Sequence, residues 1–190
     1  MIVSLYAIAI FLHIVGALAL SAAIGLEWAA QHHIRRARTV GQVREWLKLF
    51  AAVHRVAGPA AVTILVTGVY MSATQWGRQP WIGLGLVGLV IMAVLAPVLT
   101  GRRARTIAQA IPTADGPIPP AVGRRITDPV LRLSLWLRTA IGLGVVYLMA
   151  VKPASGGVAL TTLGVAVALA LAAALPGWAQ GRRPMTTTGD

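Results

Sequence analysis

The segment IVSLYAIAIFLHIVGALALSAAIGL, residues 2–26, contains no aspartate, glutamate, lysine or arginine. About 20 apolar residues in a helix are enough to span the roughly 30 Å hydrocarbon core of a bilayer. The segment therefore predicts a transmembrane helix. A cleaved signal peptide would carry basic residues before a shorter apolar run, whereas here the arginines follow it, starting at Arg35. We therefore expect a retained first span.

The remainder of the chain has the same apolar character. Of its 190 residues, 57% are apolar and 12% charged, and the mean hydropathy is +0.75, which is well above that of a soluble domain. Four further apolar runs predict spans at about 53–75, 81–100, 129–151 and 158–175. The predicted fold class is an all-α, polytopic membrane helix bundle with five transmembrane helices. There is no cysteine, which excludes disulfides, thiolate metal sites and thiol nucleophiles.

Aromatic and helix-breaking residues predict the turns between the spans. Trp76 and Trp81 bracket a short connection, as expected of an aromatic belt at the membrane interface. The proline-rich stretch 112–120 cannot continue a helix, so residues 101–128 predict the longest loop. Residues 127–129, Thr-Asp-Pro, predict the start of the fourth span, and 152–153, Lys-Pro, predict its end. Residues 176–178, Pro-Gly-Trp, predict the end of the fifth.

Basic residues predict the orientation. The chain holds 17 lysines and arginines against five acidic residues, a net charge of +12. All the lysines and arginines except Arg78 and Lys152 lie on one side of the predicted spans. The positive-inside rule therefore predicts an external N-terminus and a cytoplasmic C-terminus. Because the charge is clustered between apolar runs, we expect no nucleic-acid partner and instead contacts with anionic phospholipid headgroups. The candidate headgroup ligands are Arg35, Arg36, Arg38, Arg102, Arg103 and Arg105.

Four short motifs resemble a family of bacterial integral membrane proteins defined by the domain of unknown function DUF2269. They are LHIVG at 12–16, RVAGP at 55–59, LVTGVYM at 65–71 and LMAVKP at 148–153. The resemblance implies a four-helix membrane core over residues 1–153 in the bacterial cytoplasmic (inner) membrane, and it implies no settled activity. Residues 154–178 then add a fifth transmembrane helix, and 179–190 are expected to form a disordered cytoplasmic tail.

His13 is an ionisable residue near the middle of the first span, where such residues often mark a functional site. A neutral imidazole there predicts either an axial ligand to haem b, or a copper ligand, or a structural hydrogen bond to a neighbouring helix. His54 is the candidate second ligand. Helix rise places His13 about 20 Å, and His54 within roughly 5 Å, of the inner ends of their helices. We therefore expect His54 to meet lipid phosphate or cap its helix, and we predict no metal site beyond these residues.

Glu27 and Arg138 are candidates for a structural ion pair. Glu27 lies at the inner end of the first span and Arg138 lies about two turns inside the inner end of the fourth. Pairing in a low-dielectric interface would orient the two helices. The alternative is that Arg138 extends to the headgroups while Glu27 faces water.

Small residues recur at helical spacing and predict helix contacts. Residues 83–88 match the glycine fingerprint of dinucleotide sites, but no strand precedes them, so we interpret them as a packing surface. The same interpretation applies to the stripes Ala17, Ser21, Gly25 and Gly164, Ala168, Ala172. No catalytic triad, paired intramembrane carboxylates or zinc motif is present in the sequence.

These observations favour a small non-catalytic protein, an accessory or scaffold subunit that binds other membrane subunits. One alternative is a haem b or copper protein that uses His13. The other is a small-solute transporter, for which the breaks expected at Gly58, Pro59 and Pro97 and the intramembrane Arg138 would be the basis.

Overall fold

The structure is a computed structural model that describes residues 4–180. Within this range the chain is helical, and the one extended pairing is an isolated bridge between Thr39 and Pro117. Five helical segments are long and apolar enough to cross a membrane. The all-α class is therefore confirmed, and so is the presence of five helices with the length and composition of a membrane span. The predicted tail, 179–190, lies outside the described residues apart from its first two positions, which are helical.

Seven α-helices make up the bundle. They are α1 Leu5–Arg36, α2 Val40–Met71, α3 Pro80–Leu95, α4 Arg102–Ala110, α5 Pro120–Ile126, α6 Pro129–Val151 and α7 Gly156–Gln180. Two π-helical turns extend them: Ser72–Trp76 continues α2, and Ala96–Gly101 joins α3 to α4.

The ends of α6 follow the predicted chemistry. The Asp128 carboxylate accepts a hydrogen bond from the backbone N–H of Val130 at 2.8 Å, and Pro129 occupies the first helical position, where its missing N–H costs nothing. At the other end Lys152 adopts a left-handed conformation with φ of 52° and its N–H bonds to the Leu148 carbonyl. Both predicted boundaries of this span are confirmed.

Other boundaries were predicted wrongly. α2 begins at Val40 and runs through Pro59 without a break, because one missing backbone bond is tolerated in a long packed helix. Pro97 lies in the π-helical turn, whose wider geometry accommodates it. α7 continues past Pro176 to Gln180. The loop at 101–128 is mostly helical, because α4 and α5 leave only 111–119 irregular.

The end of the bundle that carries residues 37–39 and 111–119, here called the loop end, has its own apolar core. Its buried side chains are Ile34, Val43, Ile107, Val122, Ile126 and Leu131. The irregular segment is tied down by polar contacts: Arg44 donates to the carbonyls of Pro112 and Thr113, and the Gly41 N–H donates to the Asp115 carboxylate at 2.7 Å. The loop end is therefore an ordered cap on the bundle.

The opposite end, here called the hairpin end, carries residues 77–79 and 152–155 and is ringed by aromatic side chains. Trp76 Nε1 donates to the Tyr6 hydroxyl at 3.2 Å, and the Trp76 ring packs edge to face on Trp81. The Lys152 ammonium lies 4.3 Å from the Trp76 ring centre. These contacts join α1, α2, α3 and α6 in a single layer.

Two helical units make up the membrane part. α1 packs along α2, and α3 packs with α6 and α7, whereas contacts between the two units are sparse. In the second unit a Cβ on Gly88 would lie 2.8 Å from a Val145 methyl group, and one on Gly85 would lie 2.8 Å from the Met149 methyl group. The packing predicted for these two glycines is confirmed, because their missing side chains let α3 approach α6.

Replacing Gly88 by alanine should destabilise the fold. The added methyl group meets the β-branched side chain of Val145, and overpacking of this kind costs about 1–3 kcal/mol. Gly83→Ala is the matched control on the same helix, since a Cβ there meets no atom within 4 Å. Thermal unfolding followed by circular dichroism in mild detergent should show a lower midpoint for Gly88→Ala alone. Equal midpoints for the two variants would contradict the described packing.

Candidate functional site

A buried ion pair joins α1 to α6. Glu27 is 2% exposed and Arg138 is 5% exposed. Arg138 Nη1 donates to Glu27 Oε2 at 2.8 Å, and Nη2 donates to Oε1, so the contact is bidentate. This geometry satisfies both carboxylate oxygens at once, which a buried carboxylate requires. The structure thus brings together the two residues that the sequence proposed as partners.

Hydroxyl and indole groups surround this ion pair. The hydroxyls of Thr100 and Ser134, both fully buried, are 2.9 Å apart, and Arg138 Nη2 reaches the Thr100 oxygen at 3.4 Å. Trp28 Nε1 donates to the Thr139 hydroxyl at 2.9 Å. The cluster therefore connects α1, the π-helical turn after α3, and α6. Its charges compensate each other locally, so it functions as a joint between the two helical units.

His13 makes its polar contact across the α1/α2 interface. Its Nδ1 lies 3.0 Å from the hydroxyl oxygen of Thr67, a buried residue of α2. The Thr67 hydroxyl itself donates to the Thr63 carbonyl one turn earlier, at 2.6 Å. One of the alternatives predicted for His13, a structural hydrogen bond to a neighbouring helix, is therefore present in the structure.

A cavity of about 760 Å³ lies between the two helical units, on the side of the ion pair toward the hairpin end. Small-molecule sites usually have volumes of about 300–1,000 Å³. Its walls come from α1, α2, α3 and α6 and are mainly apolar. The polar residues in the walls are His13, Ser21, Ser72, Arg78 and Thr139. The cavity thus extends from the ion-pair layer, at Thr139, to the hairpin end, at Arg78.

His54 lies far from His13 and does not contribute to the cavity. His13 contacts α2 at Thr67, and His54 lies 13 positions earlier on that helix, a separation of about 20 Å along its axis. His54 Nδ1 instead contacts the Phe50 carbonyl at 2.9 Å in its own helix. It does not cap α2, because α2 begins at Val40. Within residues 4–180 no three histidine, cysteine or acidic side chains cluster to hold a metal ion.

The arginines proposed as headgroup ligands differ in their surroundings. Arg103 is half-buried and pairs with Asp128 at 2.8 Å, so its guanidinium already has a protein partner. Arg35 donates to the Thr127 carbonyl at 3.4 Å while remaining exposed. The exposed remainder of the set is Arg36, Arg38, Arg102 and Arg105. Their contact with anionic lipid remains a prediction.

No protein-family model, curated protein or solved structure matches this chain. The resemblance to DUF2269 therefore stays a prediction, and the function has to be argued from the site itself. Sequence reasoning found His13, Glu27 and Arg138 but missed Thr67 and the cavity. A threonine pair at 63 and 67, one turn apart in an apolar run, was the available signal, because such hydroxyls are the natural partners of a buried imidazole.

Replacing one member of the buried ion pair should destabilise the protein much more than replacing both. Glu27→Leu or Arg138→Met alone leaves a charge buried without a partner, which costs about 3–5 kcal/mol, whereas the double variant replaces the pair by apolar contacts. Denaturant unfolding in detergent should rank the double variant above each single one.

Glu45→Leu is the control, because Glu45 belongs to an exposed pair with Lys48 and its loss should be nearly neutral. If the double variant lost as much unfolding free energy as the two single variants together, the described coupling would be contradicted.

Proposed function

We propose that this protein is a small, non-catalytic integral membrane protein that holds a membrane-soluble molecule between its two helical units. The cavity of about 760 Å³ is the observation that supports this proposal. Its apolar walls suit a ligand that partitions into lipid, and its few polar groups would fix the orientation of that ligand. Because the walls are transmembrane helices, the ligand would enter from the bilayer.

The protein is proposed to lie in the cytoplasmic membrane of a bacterium, with the loop end inside and the N-terminus outside. The distribution of charge supports this orientation: arginine clusters occupy the loop end, while the hairpin end carries Arg78 and Lys152. The end of the cavity at Arg78 would then be the end nearer the outer surface.

Single cysteines should report this orientation, because the natural sequence contains none. Gln79→Cys lies at the hairpin end and Gln109→Cys lies on α4 at the loop end, and both positions are exposed. In intact spheroplasts a membrane-impermeant maleimide should label position 79 at once and position 109 only after permeabilisation. The reverse pattern would overturn the proposed topology.

A role as accessory or scaffold subunit is compatible with ligand binding. A Cβ on Gly25 or on Gly164 would meet no atom within 4 Å, unlike one on Gly85 or Gly88. The predicted small-residue stripe of α7, whose three members are exposed, is therefore open to a partner helix, whereas Ala17 and Ser21 of the α1 stripe line the cavity. Stoichiometric companions in a mild-detergent preparation would support this part of the proposal.

Haem b or copper bound through His13 is the second candidate, because His13 lines a cavity of sufficient size. The distance of His54 leaves His13 as the one histidine of the cavity, so a ligand of this kind would need a different second donor. Transport of a small solute has less support. The break expected at Pro59 is absent because α2 runs through it, the break expected at Pro97 is a π-helical turn, and Arg138 is paired with Glu27.

Filling the cavity should displace the bound molecule without affecting the fold. Leu143 lines the cavity and is 66% exposed, and Leu160 on α7 is 62% exposed outside it. Leu143→Trp enlarges a side chain of the cavity wall and should reduce the amount of co-purifying lipophilic molecule several-fold, as measured by native mass spectrometry. Leu160→Trp is the matched control and should retain it. Equal retention in both variants would contradict binding in this cavity.

A further inference from the structure

The hydrogen-bond partners of His13 favour one of its two neutral tautomers. The Thr67 hydroxyl has one hydrogen, and it points to the Thr63 carbonyl at 2.6 Å. Its oxygen then has lone pairs to offer His13, which favours the tautomer with the proton on Nδ1. In a neutral imidazole the other nitrogen, Nε2, then carries the lone pair.

That lone pair is available to the cavity. Nδ1 faces α2, which leaves Nε2 on the other edge of the ring, and the His13 side chain lines the cavity wall. The hydrogen bonds of the His13 ring go to α2, where Nδ1 meets the Thr67 hydroxyl and the ring also bonds to the Ile64 carbonyl. A ligand in the cavity would thus meet a hydrogen-bond acceptor.

The three hydroxyls in the cavity wall also donate their protons to backbone carbonyls. Ser21 donates to the Ala17 carbonyl at 2.8 Å, Ser72 to the Gly77 carbonyl at 3.0 Å, and Thr139 to the Leu135 carbonyl at 2.8 Å. Each hydroxyl proton is used, so none of the three can donate to a ligand, and the Thr139 oxygen already accepts from Trp28 as well. Among the described side chains of the wall, Arg78 is the remaining donor, and it is exposed at the hairpin end.

The depth of His13 restricts the ligand further. Tyr6 belongs to the aromatic layer at the hairpin end, and His13 lies seven residues farther along α1, about 10 Å below that layer. A phospholipid headgroup stays at the surface, since carrying its charge to this depth is costly. The donor must therefore belong to a largely apolar molecule.

We propose that the cavity binds a hydrophobic alcohol or phenol whose hydroxyl donates a hydrogen bond to His13 Nε2. This inference rests on the proposed binding function and specifies its ligand class. Esters, ethers and ketones, which only accept hydrogen bonds, would meet lone pairs along the wall and bind more weakly.

The test compares para-nonylphenol with its methyl ether, which has nearly the same size but no hydroxyl proton. Binding is measured by isothermal titration calorimetry on the full chain in lipid nanodiscs, with empty nanodiscs as the blank. The wild-type protein should bind the phenol roughly tenfold more tightly than the ether, the effect of one hydrogen bond in an apolar site.

Three variants then assign this preference to the imidazole. His13→Leu should abolish it, because no acceptor remains at that depth. Thr67→Val removes the hydroxyl that accepts from Nδ1 and leaves the Ile64 carbonyl, which weakens the preference for the proton on Nδ1, so the ether should gain affinity and the ratio should fall below the wild-type value. Thr161→Val is the matched control, since Thr161 also donates to a carbonyl one turn earlier but lies on exposed α7, and it should keep the wild-type ratio.

The outcomes separate the inference from the function on which it rests. Equal affinity of wild-type protein for phenol and ether, both above the blank, would overturn the hydroxyl assignment and leave ligand binding intact. Absence of saturable binding of either probe would overturn the proposed function itself. A Soret band that appears on adding haem and is lost in His13→Leu would also overturn the assignment, because Nε2 would then be a metal ligand. If His13→Leu does not fold, the wild-type ratio and Thr67→Val decide.

Discussion

The ion pair between Glu27 and Arg138 joins the two helical units at a position where both side chains are buried. Each ion loses several kcal/mol of hydration when it is buried, and the bidentate contact offsets that loss only while both partners stay in register. This requirement fixes how α1 lies against α6. Thr100 and Ser134, which are fully buried beside the guanidinium, extend the same constraint to the end of α3.

The cavity follows from where this joint is located. Interhelical polar contacts between the units lie in the half of α1 near the loop end, at Glu27, Trp28 and Gln31. Beyond them, toward the hairpin end, the units are held by aromatic side chains such as Trp76 and Trp81, and the space between these two layers is left unfilled. A bundle joined at its two ends in this way can hold a ligand in a partly open cavity between its units.

The hydrogen-bond acceptors in the cavity wall result from contacts within single helices. A serine or threonine in a transmembrane helix satisfies its hydroxyl proton on the carbonyl one turn earlier, because no water is available there. Ser21 and Thr139 do so on the cavity wall, and Thr67 does so behind His13. A wall built from such residues offers acceptors to whatever lies in the cavity. Because these hydroxyls donate to backbone carbonyls of their own helices, the cavity favours a ligand that donates hydrogen bonds.

The sequence by itself determined the elements that depend on neighbouring residues and on partition into lipid. Five apolar runs gave five spans, and the cap at Asp128 and the stop at Lys152 were read correctly because capping is local chemistry. The sequence predicted a second span from about residue 53, whereas α2 begins at Val40. Charged residues such as Lys48 limit the apolar part of a helix, but they do not end the helix. Tertiary structure alone decided which side chains meet: Glu27 and Arg138 are 111 positions apart, and His13 and Thr67 are 54 apart. Such contacts, and the cavity beside them, depend on how whole helices pack, which no local pattern encodes.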